Sequence, residues 1–104
     1  MISYNVFFST RPGVEEQAVV AVTRQLLDEL RAAGQLRSYR ILRVTNPASF
    51  PALPQFQVIV DYANQQEQEE SLAFMRAPGR VHGGTHGELI KLVTDFKVSF
   101  TEDL

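Results

Sequence analysis

Alternation of apolar and polar residues predicts four β-strands. In the first strand Ile2, Tyr4, Val6 and Phe8 share one face, while Phe7 lies among polar residues on the other. Alternation over four to eight residues is typical of a strand with one buried face. The pattern recurs along the chain, and the predicted strands cover residues 3–10, 36–45, 55–62 and 94–101.

Helical spacing of apolar residues predicts a long helix between the first two strands. Across residues 14–33 the apolar side chains recur every three or four positions, and Gly34 follows the last of them. This spacing gives a helix one apolar face, and glycine is favoured just beyond the end of a helix. We therefore expect an amphipathic helix that packs on the sheet.

Capping signals predict two further helices after the third strand. Asn64 precedes Glu67 by three residues, the spacing of an N-cap and its capping partner, and this predicts a helix over residues 64–76. Pro78 is expected to end that helix. The segment Thr85-His86-Gly87-Glu88 has the same spacing and predicts a short third helix with Thr85 as its N-cap.

The order of these elements, β-α-β-β-α-β, predicts a ferredoxin-like α+β fold in a single domain over residues 1–104. Four antiparallel strands would carry both long helices on one face of the sheet. The other face would expose Phe7, Ile41 and Ile59. An apolar face on so small a protein indicates a partner, and a second copy of the chain is the simplest one. We therefore expect a homodimer.

Composition and charge exclude several classes of function. The chain has 104 residues, no cysteine and a net charge of −2. Nucleic-acid-binding domains usually carry a basic surface, and no apolar run reaches the roughly 18 residues of a membrane helix. The N-terminus lacks the basic and apolar regions of a signal peptide. We expect a cytoplasmic protein that binds neither nucleic acid nor membrane. A local group of arginines is interpreted as a solvated helix end and strand face: Arg31, Arg37, Arg40 and Arg43.

The segment of residues 78–88 carries the chemistry that the sequence offers. It holds both histidines and four of the six glycines of the chain. A histidine near its ordinary pKa can move protons without a cofactor, which makes His82 a candidate general acid or base. His86, near a predicted helix N-terminus, suits a neutral hydrogen-bonding role because the helix dipole disfavours its cationic form. An alternative is a metal site formed by His82, His86 and Glu88.

The chain resembles the dimeric α/β-barrel superfamily in its element order, its length and the segment of residues 73–93. In that segment a helix leads through a turn with glycines and histidines into a short helix. The superfamily includes small cofactor-free monooxygenases of antibiotic biosynthesis and stress-responsive barrel proteins. The resemblance implies a homodimer with packed sheets and a pocket between sheet and helices in each protomer. It also implies catalytic roles for Asn5 on the first strand and His82 after the second helix.

Other polar residues complete the expected site. Asn5 or Asp61 would orient His82, and Arg80 beside a glycine would hold an anionic substrate. Polar groups on strand faces line a pocket or form a dimer interface, and for Asp61 both alternatives stay open. The expected ligand-binding residues are Asp61, Tyr62, Arg80 and His86.

These observations predict a small-molecule-binding protein whose pocket is closed by residues 78–87. As an enzyme it would need no cofactor and no metal, and would act on a small organic compound as a monooxygenase or an isomerase. The alternative is a non-catalytic dimeric module that binds a ligand or has a regulatory role.

Overall fold

A computed structural model describes residues 1–77 and 79–104. Each predicted strand and helix is present, with ends that differ from the expected ones by a few residues. Pro78, the expected end of the second helix, lies outside the described residues. The elements are β1 (Ile2–Thr10), α1 (Glu16–Ala32), β2 (Ser38–Arg43), β3 (Phe56–Tyr62), α2 (Gln65–Arg76), α3 (Gly84–Leu92) and β4 (Val93–Glu102).

The four strands form one antiparallel sheet in the order β2-β3-β1-β4, so the predicted ferredoxin-like fold is confirmed. Directly paired residues lie on the same face of a sheet. Tyr4 pairs with Val60 and with Phe100, which places all three on the face that carries the helices, the helix face. Asn5 pairs with Ile59 and with Ser99 on the opposite face, the open face.

The core lies between the helix face and α1. The buried residues of α1 are Val19, Thr23, Leu27 and Leu30, which the helical period brings to one side. The Thr23 hydroxyl donates to the Val19 carbonyl at 2.7 Å, so this buried polar group is satisfied. Among the described residues, none of the helices has both the length and the apolar character that crossing a bilayer requires.

Strand β2 differs from the expected facing. Ile41, expected on the open face, pairs with Val58, lies on the helix face and packs against the core. Leu42, paired with Gln57, takes its place on the open face. The expectation was wrong because Ile41 and Leu42 are adjacent and both apolar, so alternation alone does not choose between them.

Of the two helix starts predicted from capping signals, the start of α2 is confirmed and the N-cap of α3 is wrong. Asn64 caps α2, with its Oδ1 accepting from the Glu67 N–H at 2.9 Å, as the capping spacing predicts. Thr85, however, is not an N-cap, because α3 begins at Gly84. Its hydroxyl instead donates to the Glu29 carboxylate of α1 at 3.1 Å. A charged acceptor makes a stronger hydrogen bond than a neutral one, and this bond ties α3 to α1.

Strand β4 is an edge strand whose apolar residues the helices leave exposed. Phe96, Val98 and Phe100 are 60%, 42% and 53% exposed on the helix face. Tyr4 packs its ring against Phe100, with ring centroids 5.2 Å apart. The apolar side chains of β4 therefore line a space that the core does not fill.

We predict that Phe56→Ala lowers the free energy of unfolding by about 3–5 kcal/mol, because Phe56 is 2% exposed and its truncation leaves a cavity. Phe50→Ala is the matched control, since Phe50 is 60% exposed in the β2–β3 connection, and it should change the value by less than about 0.5 kcal/mol. Urea unfolding followed by circular dichroism measures both. Equal losses in the two variants would contradict the described core.

Candidate ligand-binding cavity

One cavity, called the main cavity below, lies between the helix face and the helices α1 and α3. Its volume is about 510 Å³, within the range of small-molecule sites. Its wall is mostly apolar and takes in Val6 and Phe8 of β1, Val58 and Val60 of β3, Leu26, Leu27 and Leu30 of α1, and Leu89 and Ile90 of α3. An apolar space of this size suits the body of an organic molecule.

His86, in the first turn of α3, lines this cavity. Its imidazole ring has a hydrogen-bond partner in the backbone. It is half-buried, and its Nδ1 lies 2.7 Å from the Val81 carbonyl oxygen. A carbonyl only accepts, so Nδ1 carries the proton of the neutral ring. Nε2 then has a free lone pair and is able to accept a proton or a hydrogen bond.

Two tyrosines supply phenol groups to the same wall. Burial raises the pKa of Tyr4, while the charge of Arg76 acts in the opposite direction. Burial also raises the pKa of Tyr62, while the nearby Ser71 hydroxyl lowers it. Both phenols are therefore neutral at pH 7 and able to donate a hydrogen bond.

A smaller cavity of about 280 Å³ adjoins the main one, between α1, α2 and the segment that precedes α3. The two share Leu26, Leu30, Met75 and His86 as their common wall. Arg80 lines the smaller cavity, and its guanidinium lies 3.7 Å from the Phe74 ring centroid. The cation–π contact holds the segment before α3 against α2, and the hydrogen bond from Thr85 to Glu29 holds the start of α3 against α1.

The structure divides the sequence-predicted site residues among four places. Tyr62 and His86 meet in the main cavity, and Arg80 lies beside His86 in the smaller one. His82 is exposed and is part of the wall of neither. Asn5 and Asp61 lie on the open face, on the opposite side of the sheet from both cavities.

The contacts of Asn5 and Asp61 belong to the open face. The amide of Asn5 donates to the Thr101 hydroxyl at 2.9 Å. The Asp61 carboxylate accepts from the hydroxyls of Ser3 at 2.6 Å and Ser38 at 3.1 Å. These bonds connect all four strands across the open face, so neither residue is placed to orient His82.

The alternative metal site is not assembled. Within residues 1–77 and 79–104, no three histidine, aspartate or glutamate side chains come close enough together to hold an ion. His86 turns its Nδ1 to a carbonyl of its own segment, and His82 precedes α3 rather than sharing a helix face with it. His82, His86 and Glu88 therefore do not form the three-ligand set that their spacing suggested.

Three ionisable residues of the main cavity were not among the expected ligand-binding residues: Tyr4, Arg11 and Asp95. Tyr4 shares the helix face with Val6 and Phe8, so strand alternation could have found it. Arg11 follows the end of β1, and Asp95 sits at an irregularity in the pairing of β1 with β4, with a φ of 55°. A bulge redirects side chains in a way that regular alternation does not reveal.

The description "Family of unknown function (DUF6614)" fits residues 1–103. The chain belongs to the DUF6614 family. No curated protein sequence matches it.

Solved structures with the same fold include three that are informative about this DUF6614 protein. At3g17210 from Arabidopsis thaliana has a TM-score of 0.78 at 8% identity, covering 100% of this chain and 96% of that chain. SnoaB, a cofactor-independent oxygenase from Streptomyces nogalater, has 0.71 at 12%, covering 98% and 91%. A dimeric protein of unknown function from Bacteroides fragilis with a ferredoxin-like fold has 0.63 at 14%, covering 98% and 95%. At these identities the likeness establishes the fold alone.

We predict that Gly87→Ala destabilises the protein by about 1–3 kcal/mol, although alanine is the better helix former. Gly87 is buried, and a Cβ there would overlap the backbone carbonyl of His82. The control is Ala73→Gly on the exposed side of α2, where the loss of about 1 kcal/mol follows helix propensity. Unfolding in urea measures both, and a stabilised Gly87→Ala variant would contradict the close approach of α3 to residue 82.

Proposed function

We propose that this DUF6614 protein binds a small, largely apolar organic molecule in the main cavity and acts on it without a cofactor. The observation that carries the proposal is His86, whose Nδ1 is committed to the Val81 carbonyl while the ring lines an apolar cavity. An imidazole held in one tautomer is suited to accept a proton at Nε2. His86 thus replaces His82 as the proposed proton acceptor.

The proposed step is removal of a proton from a carbon next to a carbonyl group. The C–H bond breaks, the proton goes to Nε2 of His86, and the electron pair moves onto the carbonyl oxygen to form an enolate. The phenols of Tyr4 or Tyr62 would donate to that oxygen, as oxyanion stabilisation requires. Return of the proton to another carbon gives an isomerase. In the second course the enolate carbon bonds to molecular oxygen to give a hydroperoxide, and loss of water with the second hydrogen of that carbon leaves a new carbonyl group, which is monooxygenase chemistry. SnoaB, which has a similar fold, is a cofactor-independent oxygenase.

We predict that His86→Gln lowers proton exchange by 10²-fold or more, the usual contribution of a general base. The measurement is deuterium incorporation from D₂O into a panel of aromatic 1,3-diketones, followed by NMR. His82→Gln is the matched control and should exchange at the wild-type rate, because His82 is exposed and outside the cavity wall.

Two results would change the proposal. If His82→Gln loses exchange and His86→Gln does not, the catalytic role returns to His82. If the compounds bind but no exchange occurs, the protein is the non-catalytic binding module of the alternative reading. Asn5, Asp61 and Arg80 have no part in the proposed proton transfer.

We also propose that the protein is a homodimer through the open face. Phe7, Ile59 and Leu42 are half-buried there, and the helices of the described residues pack on the other face of the sheet. Apolar groups on a sheet face favour association. The Bacteroides fragilis structure is itself described as dimeric.

We predict that Ile59→Arg yields a monomer by light scattering after gel filtration, because the two-fold contact would bring like charges together. Phe50→Arg alters a more exposed apolar residue outside the sheet and should leave the dimer intact. A monomeric wild-type protein would contradict the proposed dimer.

A further inference from the structure

The charges around the main cavity differ from those of the protein as a whole. The chain has a net charge of −2. The ionisable residues that line the cavity, apart from the tyrosines, are Arg11, His86 and Asp95. Asp95 forms an ion pair with Lys97, so its charge is already balanced. Arg11 is left as the charged residue of the wall that has no ion-pair partner in the described part of the chain.

Arg11 is held in place by its backbone and has a free side chain. Its N–H donates to the Leu92 carbonyl at 2.9 Å, which fixes the start of the β1–α1 connection against the junction of α3 and β4. Its side chain is exposed. In the described part of the chain no carboxylate lies within ion-pair distance of it, whereas Arg31, Arg37 and Arg43 are each paired.

The rest of the wall restricts where a charged ligand group can lie. Burying an ion among leucine, valine and phenylalanine side chains without a partner costs several kcal/mol or more. An anionic group must therefore stay at the rim, where Arg11 and water are available. The guanidinium fork of arginine matches the two oxygens of a carboxylate.

We propose that the ligand of the main cavity is an organic anion, with an apolar body inside the cavity and a carboxylate that pairs with Arg11 at the rim. This inference rests on the proposed function and adds the charge class of its substrate. It also moves the expected anion contact from Arg80, whose guanidinium lies on the Phe74 ring, to Arg11.

The test uses two fluorescent probes with the same body. N-phenyl-1-naphthylamine is neutral, and 1-anilinonaphthalene-8-sulfonate adds one sulfonate to it. We expect the wild-type protein to bind the sulfonate at least 10-fold more tightly than the neutral probe. In Arg11→Gln that preference should fall to within 2-fold of unity, with binding of the neutral probe unchanged.

Two control variants separate specific pairing from general charge. Arg76→Gln removes an exposed arginine that acts on Tyr4 but is not part of the cavity wall, and it should keep the preference. Arg11→Lys keeps the charge without the fork and should retain an intermediate preference. Displacement of the neutral probe by 2-naphthoate, but more weakly by 2-naphthamide, extends the result from sulfonate to carboxylate.

Three outcomes overturn the inference. Equal affinity for both probes in the wild-type protein refutes it and leaves the proposed cavity function standing. Equal weakening of both probes by Arg11→Gln shows a structural role and also refutes it. Binding of neither probe, with the protein folded by circular dichroism, refutes the cavity function together with the inference.

Discussion

The position of β1 between β3 and β4 is the constraint on which the rest of the structure depends. Because residues 2–7 of β1 are paired on both sides, their alternation assigns the neighbouring strands to the same two faces. Tyr4, Val6 and Phe8 thereby join the core and the main cavity. Asn5 and Ser3 join a hydrogen-bonded surface on the open face. A slip of one residue would exchange the two sets.

The cavity exists because the helices do not cover the sheet evenly. Helix α1 buries one row of residues against the sheet, while the helix-face side chains of β4 stay exposed beside the cavity. Helix α3 is brought to this space by Gly87, whose lack of a side chain allows close approach to the His82 carbonyl. That approach sets the first turn of α3 next to Val81, and so determines the orientation of His86. Gly87, next to His86, thus serves to let α3 pack closely against the backbone of residue 82.

The sequence predicted helix starts and strand faces correctly where the local pattern allowed a single structure. The Asn64 cap and the alternation of β1 and β3 each had a single physical interpretation, and both are confirmed. It failed where two residues were equivalent by type. Ile41 and Leu42 are both apolar, and the hydroxyl of Thr85 had a carboxylate on α1 as an acceptor that only the tertiary structure brings near. The sequence predicts the acid–base role for His82 and ligand binding for His86, but the burial of the two side chains depends on the position of α3 and is not encoded in the local pattern.

The proposed base and the proposed anion contact together restrict the orientation of a ligand. Arg11 follows the end of β1 and Tyr4 lies near its start, seven residues earlier; a fully extended segment of that length spans at most about 23 Å. With its carboxylate at Arg11, the proposed ligand would direct its other end, which carries the reacting carbonyl, toward Tyr4 and Tyr62, because no other uncompensated arginine or lysine lines the cavity in the described residues. A reversed ligand would place its charge among apolar side chains, which desolvation opposes. The charge of Arg11 at the rim therefore determines which part of the ligand lies next to His86. An elongated ligand fits this arrangement better than a compact one.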